Sequence, residues 1–366
     1  MHKTENLREA DRLMTICNAC RYCEGLCAVF PAMEMRRTFG AGDLTYLANL
    51  CHQCGACYAD CQYSPPHEFN VNIPASFAKL RSENYAAYAR PRFLAAAFAS
   101  NAVVLSLVTA ACLGGFIVGF VALIAPSALY APQAGQFYRL MAHDTMAWLF
   151  SLATLLIVVA FAFGMRAFWR DIGGAASAPG FAGFMRAVAD TAHLKYLHGG
   201  GGGCTSESEA PSAARRIYHH LTFYGFLLCF AATCVATVYH YAFGWHAPYP
   251  VLSVPVMLGI VGGAGLIVGP IGLLVLAGRR EPVLTDARQK TLGTVFILML
   301  LLVSISGLLL LALRDTAGMG MLLAVHLGFV LALFFSLPYG KFVHGLYRFL
   351  ALVKYAGERR HATFVE

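Results

Sequence analysis

Six stretches of the chain, near 93–124, 143–167, 217–242, 252–277, 291–313 and 321–347, are almost wholly apolar. Each reaches the length of about 20 residues that an α-helix needs to cross the hydrocarbon core of a bilayer. The residues before them follow a different pattern. Positions 1–16 are polar, 17–61 are rich in cysteine, and Glu68–Pro91 mixes Ala, Tyr and Arg. The last of these reads as an amphipathic helix lying at the membrane surface and ended by Pro91. The pattern predicts a mainly α chain. A small cysteine-rich domain spans 1–75, an amphipathic linker 76–92, a six-helix transmembrane bundle 93–350 and a tail 351–366, with 168–216 as a long loop inside the bundle.

Composition supports this division. Of 366 residues 58% are hydrophobic and only 13% charged, with a mean hydropathy of +0.60, whereas a soluble domain carries about 25% charge. A signal peptide is not expected, since the polar start runs straight into cysteines. The net charge of +8 would suit a nucleic acid, but its placement argues otherwise. Nineteen Lys and Arg residues fall in 79–92, 166–216, 278–290 and from Lys341 onward, while the loops on the other side hold only Arg139 and Arg314. The positive-inside rule then puts both termini and the cysteine domain on the cytosolic side of a membrane, with lipid and not nucleic acid as the partner. Reduced thiols point to the same side.

Eight of the twelve cysteines repeat one spacing: Cys17, Cys20, Cys23 and Cys27, then Cys51, Cys54, Cys57 and Cys61. Three sulfurs at steps of three wrap one corner of an iron–sulfur cube. In two-cluster ferredoxins the fourth cysteine of each run serves the other cube. That rule assigns one [4Fe–4S] cluster to Cys17, Cys20, Cys23 and Cys61, and a second to Cys51, Cys54, Cys57 and Cys27. Zinc sites or disulfides are the competing readings, but four sulfurs within eleven residues crowd more than zinc ribbons do. The proline that usually follows the fourth cysteine lies four residues beyond it, at Pro31 and Pro65.

Histidines within apolar spans are costly and need a reason. His326 and His344 are eighteen residues apart on the sixth span. On one continuous helix they would share a face, roughly 27 Å apart along the axis. Two b haems, each held by a pair of histidines, would fit such an arrangement. His219 and His220 would lie level with His344, and His240 with His326, with His143 competing for the outer role. A quinone or proton site using one of these rings is the alternative. Gly199–Gly203 followed by Cys204 reads as a flexible linker, or as backbone passing close to a cofactor or partner. Gly262, Gly263, Gly265 and Gly269 suit close helix packing. Cys112, Cys229 and Cys234 suit packing within spans.

The run His326-Leu327, Leu333-Phe334, Pro338, Lys341, Val343-His344 and Arg348 resembles the last haem-binding span of the nitrate reductase gamma subunit. Arg279-Arg280 through Gly307-Leu308 resembles the span before it. The other haem helix departs from that family, because Phe230 stands where a second histidine would fall. Taken whole, the chain resembles the tricarballylate utilisation protein B family, or CitB-type domain. The carrying features are the two cysteine runs, Glu68-Phe69-Asn70-Val71-Asn72-Ile73-Pro74, the glycine run ending in Cys204, Arg215-Arg216 with His219-His220, and Phe223-Tyr224-Gly225-Phe226. The resemblance implies a ferredoxin-like head on a membrane anchor. It would reoxidise the FAD of a separate tricarballylate dehydrogenase through two [4Fe–4S] clusters and one or two b haems, with the quinone pool as acceptor. No dinucleotide fingerprint occurs here, so the flavin belongs to a partner. A quinol-oxidising subunit running in reverse, or a redox-sensing anchor without turnover, are the alternatives.

Overall fold

In the computed structural model, residues 4–97, 101–124 and 129–359 are described. Residues 98–100 of the expected first span and 360–366 of the expected tail lie outside them. Thr4 starts the first helix, its hydroxyl accepting the Leu7 N–H at 3.2 Å as an N-cap does. Helix α1 (Glu5–Cys20) carries Cys17 and Cys20 at its end. Short helices α2 (Val29–Glu34), α3 (Ala41–Leu50) and α4 (Ala56–Ala59) follow. The Asn72 side chain then caps α5 (Ile73–Tyr88), accepting from Ala75 N at 3.1 Å. Leu13, Met14, Phe30, Leu44, Leu47 and Phe77 pack into one core. The described residues form no strand, only an isolated bridge between Cys204 and Ser212.

Helix α5 corrects the expectation of a linker at the membrane surface. Phe77, Ala78, Leu80, Arg81, Ser82, Asn84 and Tyr85 are all buried. Several of its polar residues are bonded there, whereas Ser76 Oγ and Asn84 Nδ2 are buried without a partner. Glu83 accepts from Thr4 Oγ1 at 3.1 Å and Asn6 Nδ2 at 2.7 Å, and Ser82 Oγ donates to Asp286 at 3.0 Å. Helix α6 (Arg92–Ala97) comes after Pro91.

Among the described residues six helices are long and apolar enough to cross a membrane: α7 (Asn101–Leu123), α8 (His143–Asp171), α10 (Ala214–Phe243), α11 (Val254–Arg279), α12 (Ala287–Ala312) and α13 (Met319–Ser336). Between α8 and α10 lies α9 (Phe181–Ala192). Leu107, Val118, Leu156, Phe163 and Phe230 are each more than half exposed, as lipid-facing side chains are. Helices α10 and α11 pack backbone to backbone. A Cβ added to Gly269 would lie 2.8 Å from Tyr218 O, and one on Gly265 3.0 Å from Leu221 O, the close approach that small residues permit.

The sixth span is shorter than its apolar run. Helix α13 stops at Ser336, and residues 337–342 turn before α14 (Val343–Glu358) begins. Pro338 has no N–H to continue the ladder and clashes with the preceding turn. Gly340 N instead closes on Ser336 O at 2.8 Å. His326 and His344 therefore sit on separate helices, and the shared-face argument for them does not hold. Nor is the end of the chain a loose tail. Tyr347, Ala351, Leu352 and Tyr355 of α14 belong to the same core as Leu13, Phe30 and Phe77. Glu358 bonds Arg36 at 2.6 Å and accepts from Tyr46 Oη at 2.9 Å.

Candidate functional site

The two cysteine runs line two adjacent cavities. Cys17, Cys20, Cys23, Cys57 and Cys61 edge the first, together with Tyr22, Phe30, Tyr63 and Ile73. Cys27, Cys51, Cys54 and Cys57 edge the second. The first cavity thus takes three sulfurs from the first run and two, Cys57 and Cys61, from the second, while the second takes three from the second run and Cys27 from the first. Cys57, Phe30 and Ile73 line both, so a single wall separates them. All twelve cysteines are free thiols. Among the described residues no three His, Cys, Asp or Glu groups converge tightly enough for a single metal ion. The sulfurs instead ring two adjoining hollows, and a four-iron cluster fits that donor set. Burial pushes the Cys17 thiol up to about 12, and Cys23, Cys61 and Cys20 add to the rise. Burial, with Cys204 next, pushes Cys54 up to about 11. Thiols packed in this way stay protonated unless a cation shares the cavity.

The segment 168–216 closes over the second cavity, contrary to the flexible-linker expectation. A Cβ on Gly199 would lie 3.0 Å from Ala56 and one on Gly200 2.9 Å from Leu26, so this run does pass close to the cysteine walls. Gly203, at φ +123°, permits the bridge in which Cys204 N donates to Ser212 O at 2.9 Å. Thr205 N donates to Cys54 O at 2.9 Å. Cys204 is buried among Leu194 and Leu197, with Cys54 packed against them.

On the other side of the second cavity, residues 51–53 present three carbonyls to arginines. Cys51 O accepts from Arg348 at 2.8 Å and Arg81 at 3.3 Å; Arg215 bonds His52 O at 3.0 Å and Gln53 O at 2.6 Å. Burial, then Arg348 and Arg215, hold the His52 ring well below the usual imidazole range, and His219 also bears on it. His52, Gln53 and these arginines were not legible in the sequence as site residues, although Arg215 and Arg348 fell within the resembling motifs.

Beyond this loop the His219 and His344 rings meet edge to face, with centres 6.1 Å and planes 75° apart. Two imidazoles on opposite sides of one metal, at about 2 Å per metal–nitrogen bond, stand roughly 6 Å apart centre to centre. His344 Nδ1 donates to Lys341 O at 2.5 Å, leaving Nε2 as the free acceptor, the tautomer a metal ligand needs. Burial, with Arg348 and Lys341, keeps this ring neutral by lowering it well below the usual range. His219 Nδ1 is buried without a partner. The pair fits a haem iron.

The remaining histidines are placed differently. The His220 ring meets Tyr224. His326 Nδ1 lies 3.0 Å from Ser306 Oγ, and a Cβ on Gly307 would lie 2.9 Å from the His326 ring, so it is held against α12. His143 and His240 stack on each other 3.6 Å apart, and His246 Nδ1 lies 3.0 Å from His240 Nδ1. His326 thus has Ser306 where a second histidine was expected, and His240 and His143 partner each other. Cys229 packs against Gly262, Cys112 against two apolar clusters, and Cys234 is exposed on α10.

Comparison with known proteins matches both parts of this arrangement. Residues 10–87 match the family model "Citrate utilization protein B Fer4-like domain", and residues 99–364 match "Citrate utilization protein B". The chain is similar to the citrate utilization protein B of Escherichia coli, 51% identical over 358 residues, which is 98% of this chain and 94% of that one. No solved structure matches.

Proposed function

Because the chain belongs to the citrate utilization protein B family, we propose that it carries electrons from the reduced FAD of a separate dehydrogenase to the quinone pool of a bacterial inner membrane. The substrate of that dehydrogenase would be tricarballylate or a related polycarboxylate. The observation that carries this reading is the contact between the two halves: residues 51–53 wall the second cysteine cavity and are clamped by Arg215 and Arg348, whose helices hold His219 and His344.

Two [4Fe–4S] clusters and a b haem, when bound, would pass electrons one at a time from a two-electron flavin toward a two-electron quinone. Cys17, Cys20, Cys23 and Cys61 would hold the cluster nearer the partner, where Tyr22 is 73% exposed at the cavity edge. Cys51, Cys54, Cys57 and Cys27 would hold the inner one, and His219 and His344 the haem. Cations beside the inner thiolates stabilise their charge and raise the potential of what they bind. Both termini and the cysteine domain would face the cytosol, with the base of the bundle.

The variant Cys57→Ser tests the route. Substrate added to partner and variant together should still reduce the partner flavin, while quinone reduction falls to background. Normal quinone reduction by the variant would exclude the route.

A further inference from the structure

The base of the bundle holds an excess of buried positive charge. Arg81, Arg215, Arg280 and Arg348 all bear on Lys341, and Glu207 offsets only part of the charge at Arg280. Arg215 is one turn before His219 on α10, and Arg348 one turn after His344 on α14. Residues four apart share a helix face, so each histidine of the pair has an arginine beside it. Lys341, whose carbonyl fixes His344, bonds Gln289 Oε1 through Nζ.

Several donors in this group have nothing to donate to. Arg280 Nε, Arg348 Nε and Gln289 Nε2 are buried without a partner, and an ammonium with one bond keeps two donors spare. Buried donors on charged groups are rarely left this way. The carbonyls of residues 51–53 do not satisfy them, because those bonds use other nitrogens: Arg215 Nη1 and Nη2, and Arg348 Nη2. Guanidinium forks and ammonium groups beside a metal-ligand pair match carboxylates.

We propose that Arg280, Lys341, Arg348 and Gln289 form a cradle for a pair of carboxylates, the two propionates of the porphyrin held between His219 and His344. The inference rests on the haem reading above. The cradle fixes which edge of the porphyrin points toward the cytosol and the inner cysteine cavity. A free polycarboxylate offers the same chemistry and is the competing source.

The test uses the full-length chain in detergent, made in haem-starved cells with its clusters in place. Iron protoporphyrin IX and its dimethyl ester are titrated in separately and followed by the Soret band. The free acid should bind about tenfold or more tightly than the ester. In Lys341→Gln and Arg280→Gln the gap should shrink to about twofold. Equal binding of acid and ester to the unmutated chain overturns the cradle and leaves the haem reading intact. Citrate raising the unfolding temperature of the porphyrin-free chain, together with equal acid and ester binding, reassigns the cradle to a free polycarboxylate. Binding of neither porphyrin overturns the haem reading, and the cradle with it.

Discussion

Arg81 is 2% exposed, and its guanidinium bonds Ala48 O at 2.8 Å and Cys51 O at 3.3 Å. A third bond runs to Gln53 Oε1 at 3.3 Å, so replacing the arginine with leucine removes three bonds from a charged donor and leaves Ala48 O and Gln53 Oε1 without this partner, while Cys51 O keeps Arg348. Arg81→Leu should cost about 2–4 kcal/mol, seen as a lower unfolding temperature and less iron per chain. Gly203→Ala is strained twice over, by φ +123° and by a Cβ 2.7 Å from Ser212 backbone. It should open the Cys204–Ser212 bridge and destabilise the chain by about 1–3 kcal/mol, and iron analysis should show loss from the inner site first. Chemistry borne by spacing was readable at this scale. The cysteines repeat, so they stood out. The arginines act on carbonyls 30 to 297 positions away, and no local pattern carries that. The contact of His326 with Ser306 was not legible for a related reason: it depends on α12, which the spacing to His344 does not include.

Helix ends and helix partners decide the element scale. Pro338 was present in the sequence, yet an apolar run on both sides of it hides the end of α13, because hydropathy records transfer energy and not hydrogen bonding. The burial of α5 was hidden in the opposite way, by polar residues such as Arg81 and Ser82 that are paired inside the fold. The glycines of α11 were read correctly as points of close approach, since small residues on one face have few other uses in a span. A leucine at Gly269 would meet Tyr218 O and the Thr222 side chain, forcing α10 away from α11 beside His219. Gly269→Leu should cost about 3 kcal/mol. A pyridine haemochrome assay should show haem lost while acid-labile sulfide is retained, because no cysteine of either run touches this contact.

The two halves of the molecule are joined by α14. Its first turn supplies His344, its middle fills the core shared with Phe30 and Phe77, and its last residue, Glu358, pairs with Arg36, Tyr46 and Lys354. The Arg36–Glu358 pair keeps only 10% and 13% of its side-chain surface exposed, so losing one partner matters. Glu358→Gln should lower stability by about 2–4 kcal/mol. The near-ultraviolet and visible melting curves should shift together, as one cooperative unit requires. Separate shifts for the cysteine domain and the bundle would argue that they fold independently. The change from a cysteine-rich head to long apolar helices was legible from composition, but their interdependence was not, because the last sixteen helical residues resemble an ordinary amphipathic tail until the core they enter is known.

One practical consequence concerns engineering. A ferredoxin head is an attractive part to transplant onto another scaffold, and a cut near residue 92 looks like the natural seam. Such a graft would leave behind the C-terminal residues that complete the head's interior, so the transplanted piece would need them spliced back in before it could hold iron.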